Sequence, residues 1–305
     1  MTKRGWSAWV LLGAGPAVTA CGGWIDLEPA GSGGGASAAG NSSAAGNGGD
    51  SGSGGSTDAQ AVPFKILVLT TALDYPHDSI TDCQRMLSDL GQTPDDQLPA
   101  GAKPGSRFTT EVATDDLADF TAAGLKDFGM LFWCTPTGDV FSGNPRVESG
   151  ATAMAALRDY VEGGGAWGGV HSATDFEKSG NFPWYTNTLV GGYLQSFDPD
   201  GTPGTVQVEP GYAEHPVMRD VPPTWSVRDE WFRMNRDIGE QPGFQIVARL
   251  TADNRPVVWI KEFGASNGGR MFYTIRGHAP AVYHEAKFRQ LVLNGILWAT
   301  HRLEQ

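Results

Sequence analysis

Residues 163–175 read GGGAWGGVHSATD, and this stretch indicates the fold class. A helical pattern over Ala151–Val161 ends at the three glycines, and the apolar run Ala166–His171 follows directly. An apolar run without polar alternation is typical of a strand that is buried on both faces of a parallel sheet. The stretch therefore predicts a helix followed by a buried strand that ends at a histidine.

The same alternation of strands and helices extends toward the N-terminus. The predicted elements are strand Phe64–Thr70, helix Ile80–Gly91, strand Phe108–Ala113, helix Asp115–Lys126 and strand Met130–Cys134. Asp78 or Ser79 is positioned to cap the first of these helices. Strands that alternate with helices imply right-handed crossovers and a parallel sheet.

The C-terminal half has a different pattern. Strand-like runs cover Val206–Glu209, Gln245–Leu250, Pro256–Phe263 and Arg270–Ile275. The last two have no helix between them, so Val257–Ile260 and Met271–Thr274 predict an antiparallel hairpin that extends the sheet. Glu285–Thr300 predicts a closing amphipathic helix. The sequence thus predicts an α/β domain with a mostly parallel sheet and an antiparallel extension.

The first 61 residues do not follow this pattern. A short basic start precedes an apolar stretch that ends at Ala20, and Cys21 follows it. Residues 1–20 resemble a bacterial lipoprotein signal peptide, with Cys21 as the lipidated residue; the alternative is an uncleaved apolar N-terminus. Residues 21–61 hold 13 of the 42 glycines and predict a disordered tether. We expect an exported domain over residues 62–305, lipid-anchored to the cell envelope, in the outer membrane if the organism has one.

Charge and motif content exclude several function classes. The chain carries a formal net charge of −12 without any basic run, which argues against a nucleic-acid partner. No phosphate-binding glycine motif follows the first strand, and no Cys-x-x-Cys or His-Glu-x-x-His zinc spacing occurs. Apart from Cys21 the chain has only Cys83 and Cys134, which we expect to be buried and free.

Three of the six histidines fall at the predicted ends of strands, namely His77, His171 and His278. In α/β sheets ligands bind outside the carboxyl ends of the strands, so this clustering indicates a site. Other polar residues of the same loops are candidate ligand-binding groups: Asp78, Thr137, Ser172 and Asp175. Each has a structural alternative; for instance, His77 and Asp78 could simply begin a helix.

A carboxylate pair, Asp229–Glu230, precedes two large aromatic residues. Carboxylates beside apolar rings can act as general acids or bases, and the alternative is an exposed turn. A divalent metal held by the three strand-end histidines and a carboxylate is left open, because metal ligands need not be close in sequence. We interpret His215 as structural, and His284 and His301 as surface residues.

Several motifs, taken in order, resemble the ThuA-like, or trehalose-utilisation, family over residues 64–300. They are HDSI at 77–80, TGDV at 137–140, the stretch 163–175, WY at 184–185, LVGGY at 189–193, HP at 215–216, DEWF at 229–232, PVVW at 256–259, GRMFY at 269–273, GH at 277–278 and GILWA at 295–299. The resemblance implies a class I glutamine amidotransferase-like fold, which is a flavodoxin-like three-layer sandwich.

The resemblance also bears on the chemistry. In true amidotransferases the turn after the matching strand carries a nucleophilic cysteine, whereas this chain has His171 there. Glutamine hydrolysis through a thiolate is therefore disfavoured. Family members often have a histidine shortly after the GGY segment, but this chain reads Gln195–Asp198 with Phe197 in the segment. If that histidine lines the pocket or binds a metal, Phe197 or Asp198 must compensate for it, or activity in this chain is altered or lost.

The function that the resemblance implies is action on a carbohydrate, either a disaccharide or a keto-glycoside, by a hydrolase or isomerase. His171 and His278 would be acid/base groups or metal ligands, Glu230 or Asp229 their partner carboxylate, and His77 would orient the substrate. Four aromatic side chains are candidates for stacking on sugars: Trp133, Trp184, Tyr185 and Trp231. The alternatives are a non-catalytic surface module for sugar binding or scaffolding, and a metal-dependent hydrolase of another polar substrate. The oligomeric state is left open.

Overall fold

The computed structural model describes residues 63–264 and 268–304. The signal peptide, Cys21 and the tether that we predict lie outside the described residues. The strands are β1 (Phe64–Leu69), β2 (Phe108–Val112), β3 (Met130–Cys134), β4 (Ala166–Val170), β5 (Leu194–Val208), β6 (Thr224–Met234), β7 (Phe244–Leu250), β8 (Pro256–Glu262) and β9 (Arg270–Thr274). The α-helices are α1 (Ile80–Gly91), α2 (Ala122–Leu125), α3 (Gly150–Glu162) and α4 (Ala286–Ala299). None of the helices in this part of the chain is long and apolar enough to span a membrane.

One sheet of nine strands, in the order β2-β1-β3-β4-β9-β8-β7-β5-β6, organises the domain. Strands β2, β1, β3, β4 and β9 are mutually parallel. The remaining pairs, from β9–β8 through to β5–β6, are antiparallel and include the two longest strands, of 15 and 11 residues. The α/β class is confirmed, but the prediction of a mostly parallel sheet is wrong, because the antiparallel half is at least as large as the parallel half.

The parallel half has the flavodoxin-like order. The chain steps from β1 outward to β2, returns to β3 on the other side of β1, and then proceeds to β4. Because crossovers are right-handed, these opposite steps place α1 and α3 on opposite faces of the sheet. Helix α4 packs against β4, β9 and α1, while α2 packs against α3. The central strands β3 and β4 are buried at every residue, which explains their uninterrupted apolar sequence.

Two elements differ from the sequence-based prediction. The helix that we predict over Asp115–Lys126 is only the single turn α2, because the Thr121 hydroxyl accepts a hydrogen bond from Gly124 N and starts the helix there. Strand β6 is not predicted at all, and only the last residues of β5 are. Nearly all residues of β5 are exposed or half-buried, and the strand contains Pro and Gly, so its sequence has no apolar periodicity to detect.

The expectation that both cysteines of the domain are free is wrong. Cys83 and Cys134 are both buried, as predicted, but they form a disulfide bond between α1 and the end of β3. Cys83 lies on the buried face of α1, and its Cα atom is 5.9 Å from that of Cys134. The pairing depends on how α1 packs over β3, which two cysteines separated by 51 residues do not reveal in sequence.

Removal of this disulfide should destabilise the domain markedly. For a closed segment of 51 residues, the chain-entropy relation gives about 4 kcal/mol of unfolding free energy. We expect the Cys83→Ala/Cys134→Ala variant to unfold at a correspondingly lower urea concentration than the wild type. Reductant should lower the wild-type midpoint and leave that of the double variant unchanged. A reductant effect of equal size on both proteins would contradict the assignment.

His215 makes the fold sensitive to acid. Its Nδ1 atom accepts a hydrogen bond from Val217 N at 3.2 Å, and its ring lies 5.5 Å from that of Trp298. Burial, and then the charge of Arg270, lowers the pKa of His215 from 6.5 to about 4, although Glu262 and Glu304 oppose the change. The unfolded chain therefore binds this proton more readily, and stability falls as the pH drops from about 6.5 toward about 4.

We expect a His215→Asn variant to lose less thermal stability than the wild type over this pH interval. The asparagine oxygen can still accept the Val217 hydrogen bond, and the side chain does not titrate. Melting temperatures of both proteins, measured across the interval, check the expectation. Parallel curves for the two proteins would contradict it.

Candidate functional site

A cavity of about 430 Å³ opens at the carboxyl ends of the parallel strands. It lies where the strand order reverses between β1 and β3, the position at which doubly wound sheets bind ligands. Its lining residues are Tyr75, His77, Thr137, Ser172, Asp175, Leu194, Phe197, Glu230, Phe232 and His278. A larger cleft of about 670 Å³ beside the start of α3 has no histidine in its lining. We therefore identify the cavity at the strand ends as the candidate site.

His171 lies directly behind the cavity lining, in contact with His77, His278 and Glu230, and is completely buried. It follows β4 directly and has a φ of 51°, a left-handed conformation that non-glycine residues adopt rarely. Such a sharp turn requires small neighbours: a Cβ atom on Gly169 would lie 2.8 Å from that of Ala173. The His171 ring is held by Ile275 O, which lies 3.1 Å from its Nδ1 atom.

The three strand-end histidines meet at one point. His171 Nε2 is 3.1 Å from His77 Nε2 and 3.2 Å from His278 Nδ1. Glu230 Oε2 lies 3.4 Å from both His171 Nε2 and His278 Nδ1. Because carboxyl ends of parallel strands share one edge of the sheet, three residues far apart in sequence form a single cluster with a carboxylate from the antiparallel half.

The two carboxylates of the Asp229–Glu230 pair have different environments, since successive strand residues point in opposite directions. Glu230 faces the cavity, whereas Asp229 is 1% exposed and accepts hydrogen bonds from Gly277 N and His278 N, both at 3.2 Å. Asp229 also pairs with the buried guanidinium of Arg276 at 3.2 Å. Asp229 is thus a positioning residue for the His278 loop, and not an exposed turn residue.

Burial and mutual contacts shift the pKa values within the cluster. Burial, reinforced by the neighbouring histidines, lowers the pKa of His77 to about 3. Burial acts to raise the pKa of Glu230, but hydrogen bonds from His171 and His278 outweigh it and lower that pKa to about 2. The hydrogen bond with Glu230 raises the pKa of His278. At neutral pH the site therefore contains an ionised Glu230 and a neutral His77.

Three further candidate residues lie in the cavity wall. The Thr137 hydroxyl donates to Tyr75 O and accepts from Tyr75 N, which holds the Tyr75 loop against the loop after β3. Ser172 Oγ lies 3.4 Å from His77 Nδ1. Burial raises the pKa of Asp175, although Lys178 Nζ lies 2.6 Å from its carboxylate.

Other candidate residues do not line the cavity. Asp78 is exposed beside the start of α1. Trp133 and Trp231 are buried among core side chains, and the buried Tyr185 donates its hydroxyl hydrogen to Ala173 O at 2.6 Å. Trp184 Nε1 donates to Glu162 on α3. These rings stabilise the domain and are not in a position to stack on a ligand in this cavity.

Sequence reasoning did not include the aromatic side chains that do line the cavity among the candidate ligand-binding residues. Tyr75 and Phe197 are exposed to 58% and 56%, which is unusual for large apolar groups, and Phe232 lies behind them with its ring 4.4 Å from that of His171. Tyr75 is only two residues from His77 and could have been suspected. Phe197 lies on the part of β5 that has no strand periodicity, so the signal that pointed to it was its place after the GGY segment, where family members often have a histidine.

The cluster is also suited to hold a metal ion. Ligand atoms of His77, His171 and His278 all lie within 4.8 Å of one another, and each is a nitrogen. Among the described residues, this is the one group of three or more histidine, cysteine or carboxylate side chains whose ligand atoms lie close enough together to hold a metal ion.

Comparisons with known proteins support the fold and assign the family. In structure the chain is similar to a ThuA-like protein from Bacteroides uniformis, with a TM-score of 0.61 and 20% identity over 79% of this chain and 93% of the other. It is also similar to a ThuA-like protein from Parabacteroides merdae, with a TM-score of 0.56 and 18% identity over 80% and 92% of the two chains.

Among curated protein sequences none matches this chain. The sequence profile of the ThuA family, described as trehalose utilisation, matches residues 65–299 and so covers the whole sheet from β1 to β9 together with α4. The chain therefore belongs to the ThuA, or trehalose-utilisation, family.

Proposed function

We propose that this protein is an enzyme that acts on a carbohydrate, a disaccharide or its keto-glycoside derivative, through acid–base chemistry in the cavity at the strand ends. The observation that carries the proposal is the cluster of three imidazoles and one ionised carboxylate at the base of an open, aromatic-sided cavity. Trehalose utilisation as the family description supports carbohydrate as the substrate class.

The cluster provides both a proton acceptor and a proton donor. The ionised Glu230 can accept a proton, and His278, whose pKa is raised by Glu230, can donate one. Both side chains line the cavity, so a bound substrate would lie against them. His171 links the two groups, since its Nε2 atom faces both. This arrangement suits hydrolysis of a glycosidic bond or isomerisation beside a carbonyl group.

Thiolate chemistry has no support in this cavity. Cys83 and Cys134 are bonded to each other and buried, so neither presents a nucleophile. The position after β4, where an amidotransferase carries its cysteine, holds His171. The proposed reaction therefore proceeds without a cysteine nucleophile, and glutamine is not the proposed substrate.

The cavity walls suit a sugar ring. Tyr75 and Phe197 present exposed aromatic faces, and Thr137, Ser172 and Asp175 add hydroxyl and carboxylate groups nearby. Pockets for small ligands commonly combine aromatic walls with a few placed polar groups. A sugar has both kinds of surface, with apolar C–H faces and hydroxyl edges. An exposed Phe197 beside a polar cluster fits such a ligand.

The proposal is tested with the purified full-length protein on trehalose, other disaccharides and their 3-keto derivatives. We expect turnover of at least one of these by the wild type, and loss of that turnover in His171→Ala. His284→Ala, which changes an exposed histidine outside the cavity, is the matched control and should remain active. Calorimetric binding of a sugar without turnover would instead favour a sugar-binding module. Equal turnover by His171→Ala would remove His171 from the mechanism.

We also propose that the protein is exported and anchored through Cys21. The signal-like sequence over residues 1–20 supports this, and so does the Cys83–Cys134 disulfide, because disulfides persist mainly in oxidising compartments. We expect the wild type to partition with membranes and to incorporate labelled palmitate, and Cys21→Ser to do neither. Equal membrane partitioning of the two proteins would contradict the anchor.

A further inference from the structure

We propose that His77, His171 and His278 bind one divalent transition-metal ion of the zinc type, with the Glu230 carboxylate adjacent to it. The role of the ion in turnover rests on the proposed function, but binding of the ion does not. While the ion is bound, His278 is a neutral ligand, and Glu230 is then the group of the proposed function that transfers protons. The site was not apparent as a metal-binding motif because the three ligands follow β1, β4 and β9 and are separated by about a hundred residues at each step.

The first argument is the spacing of the ligand atoms. Two of the three nitrogen pairs, those that include His171, are separated by 3.1 and 3.2 Å, and all three ligand atoms lie within 4.8 Å of one another. The carboxylate oxygen lies 3.4 Å from two of the nitrogens. Zinc–nitrogen bonds of about 2.0 Å in a tetrahedron place neighbouring ligand atoms about 3.3 Å apart. The observed separations therefore match those of ligands around a single small cation.

The second argument is the orientation of the rings. Ile275 O can only accept a hydrogen bond, so the His171 Nδ1 atom carries a hydrogen. In the neutral ring, which is the form that binds a metal ion, the lone pair of Nε2 then faces the cluster. The Nδ1 atom of His77 faces Ser172 Oγ, and its Nε2 atom faces His171 Nε2 at the centre of the cluster. Metal-bound histidines generally donate their second N–H to a carbonyl, carboxylate or hydroxyl group in this way. A cation between the three nitrogens would bind lone pairs that otherwise face and repel one another.

The third argument is local charge. Within the described part of the chain, the cavity lining contains two carboxylates and neither lysine nor arginine. Lys178, just outside the lining, pairs with Asp175, so Glu230 supplies the negative charge that faces the cluster. The nearby guanidinium of Arg276 does not compete, because Asp229 and Glu285 both bind it. A buried site with a ligating histidine cluster and an adjacent carboxylate has a negative field that favours a cation. Imidazole nitrogen suits zinc and related ions, whereas magnesium and calcium prefer oxygen ligands.

The rigidity of the surroundings supports the same assignment. His171 is constrained by its left-handed backbone, and His278 is held by the two backbone hydrogen bonds to Asp229. Ser79, at the start of α1 two residues after His77, donates to Gly277 O next to His278. The loops that carry the ligands are therefore connected before any ion binds. Three protein ligands with access to a cavity are the arrangement of catalytic zinc sites, in which the ion polarises a carbonyl group or activates water.

Metal content and metal binding test the proposal on the full-length protein. We expect the protein purified without a histidine tag to contain close to one equivalent of a zinc-type metal per chain. After chelation it should bind Zn²⁺ saturably in calorimetry, and Co²⁺ should produce the visible absorption of a tetrahedral site. His171→Ala should bind Zn²⁺ about 100-fold more weakly or worse, and the exposed control His284→Ala should bind like the wild type.

A second variant keeps the test decisive if His171→Ala does not fold. Glu230→Gln preserves the three nitrogens and the side-chain shape, so we expect it to fold, to bind Zn²⁺ more weakly than the wild type and to retain the Co²⁺ spectrum. Absence of saturable Zn²⁺ binding by the chelated wild type would overturn the proposal, and so would wild-type affinity in His171→Ala. Zn²⁺ binding without turnover of any sugar would leave the metal site standing and overturn only the proposed function.

Discussion

The Glu230→Gln variant should turn over carbohydrate at least about 100-fold more slowly than the wild type, the lower range of what a positioned acid or base contributes. Glu230 is the carboxylate that faces both His171 and His278, and its low pKa keeps it ionised at neutral pH. The amide has nearly the same shape but is neutral, so it can neither accept a proton nor raise the pKa of His278. The loss should therefore appear mainly in kcat.

The control for this variant is Glu262→Gln on β8, which makes the same chemical change in a carboxylate that is 52% exposed and pairs with Arg270. We expect Glu262→Gln to keep wild-type kcat and KM. Melting temperatures of both variants close to that of the wild type would show that the fold is intact. Wild-type turnover by Glu230→Gln would exclude Glu230 as the acid–base group, and the carboxylate of Asp175 would then be the next to test.

The second large effect concerns stability. The Arg276→Met variant should lose about 3–5 kcal/mol of unfolding free energy, because removing one partner of a buried ion pair leaves an uncompensated charge. The Arg276 and Asp229 side chains are 1% and 0% exposed. Arg276 also binds Glu285 at 3.0 Å, so the variant breaks two contacts between β6, β9 and the start of α4.

Urea unfolding of Arg276→Met and Arg233→Met distinguishes a buried pair from an exposed one. Arg233 pairs with Asp198 and Asp253 but is 49% exposed, and loss of such surface pairs typically costs about 0–1 kcal/mol. Should Arg276→Met not accumulate in folded form, Arg276→Lys keeps the charge and should show a smaller loss. Similar unfolding free energies for the Arg276 and Arg233 variants would contradict the assigned importance of the buried pair.

The approach of the three strand-end histidines could be predicted from the sequence, but the approach of Glu230 to them could not. His77, His171 and His278 could be placed near one another because each follows an apolar run that predicts a strand of the sheet. Glu230 could be suspected only as half of a carboxylate pair beside aromatic residues. Its approach to His171 depends on β6, a strand whose pairing with the exposed β5 has no local signature. The different roles of Asp229 and Glu230 follow from that same strand, since it directs the two side chains in opposite directions.

The order of helices and strands in the parallel half, the α/β class and the three strand-end histidines follow from local sequence, because the periodicity of apolar residues records which faces of each segment are buried. The extent of the antiparallel half, the Cys83–Cys134 bond, and the placement of Tyr75 and Phe197 at the cavity required the folded chain. Each of these depends on contacts between segments distant in sequence, and the residues that make them carry no periodic pattern of their own. The site is a joint product of the two: strand ends supply its nitrogens, and long-range pairing of β5 with β6 supplies its carboxylate and one aromatic wall.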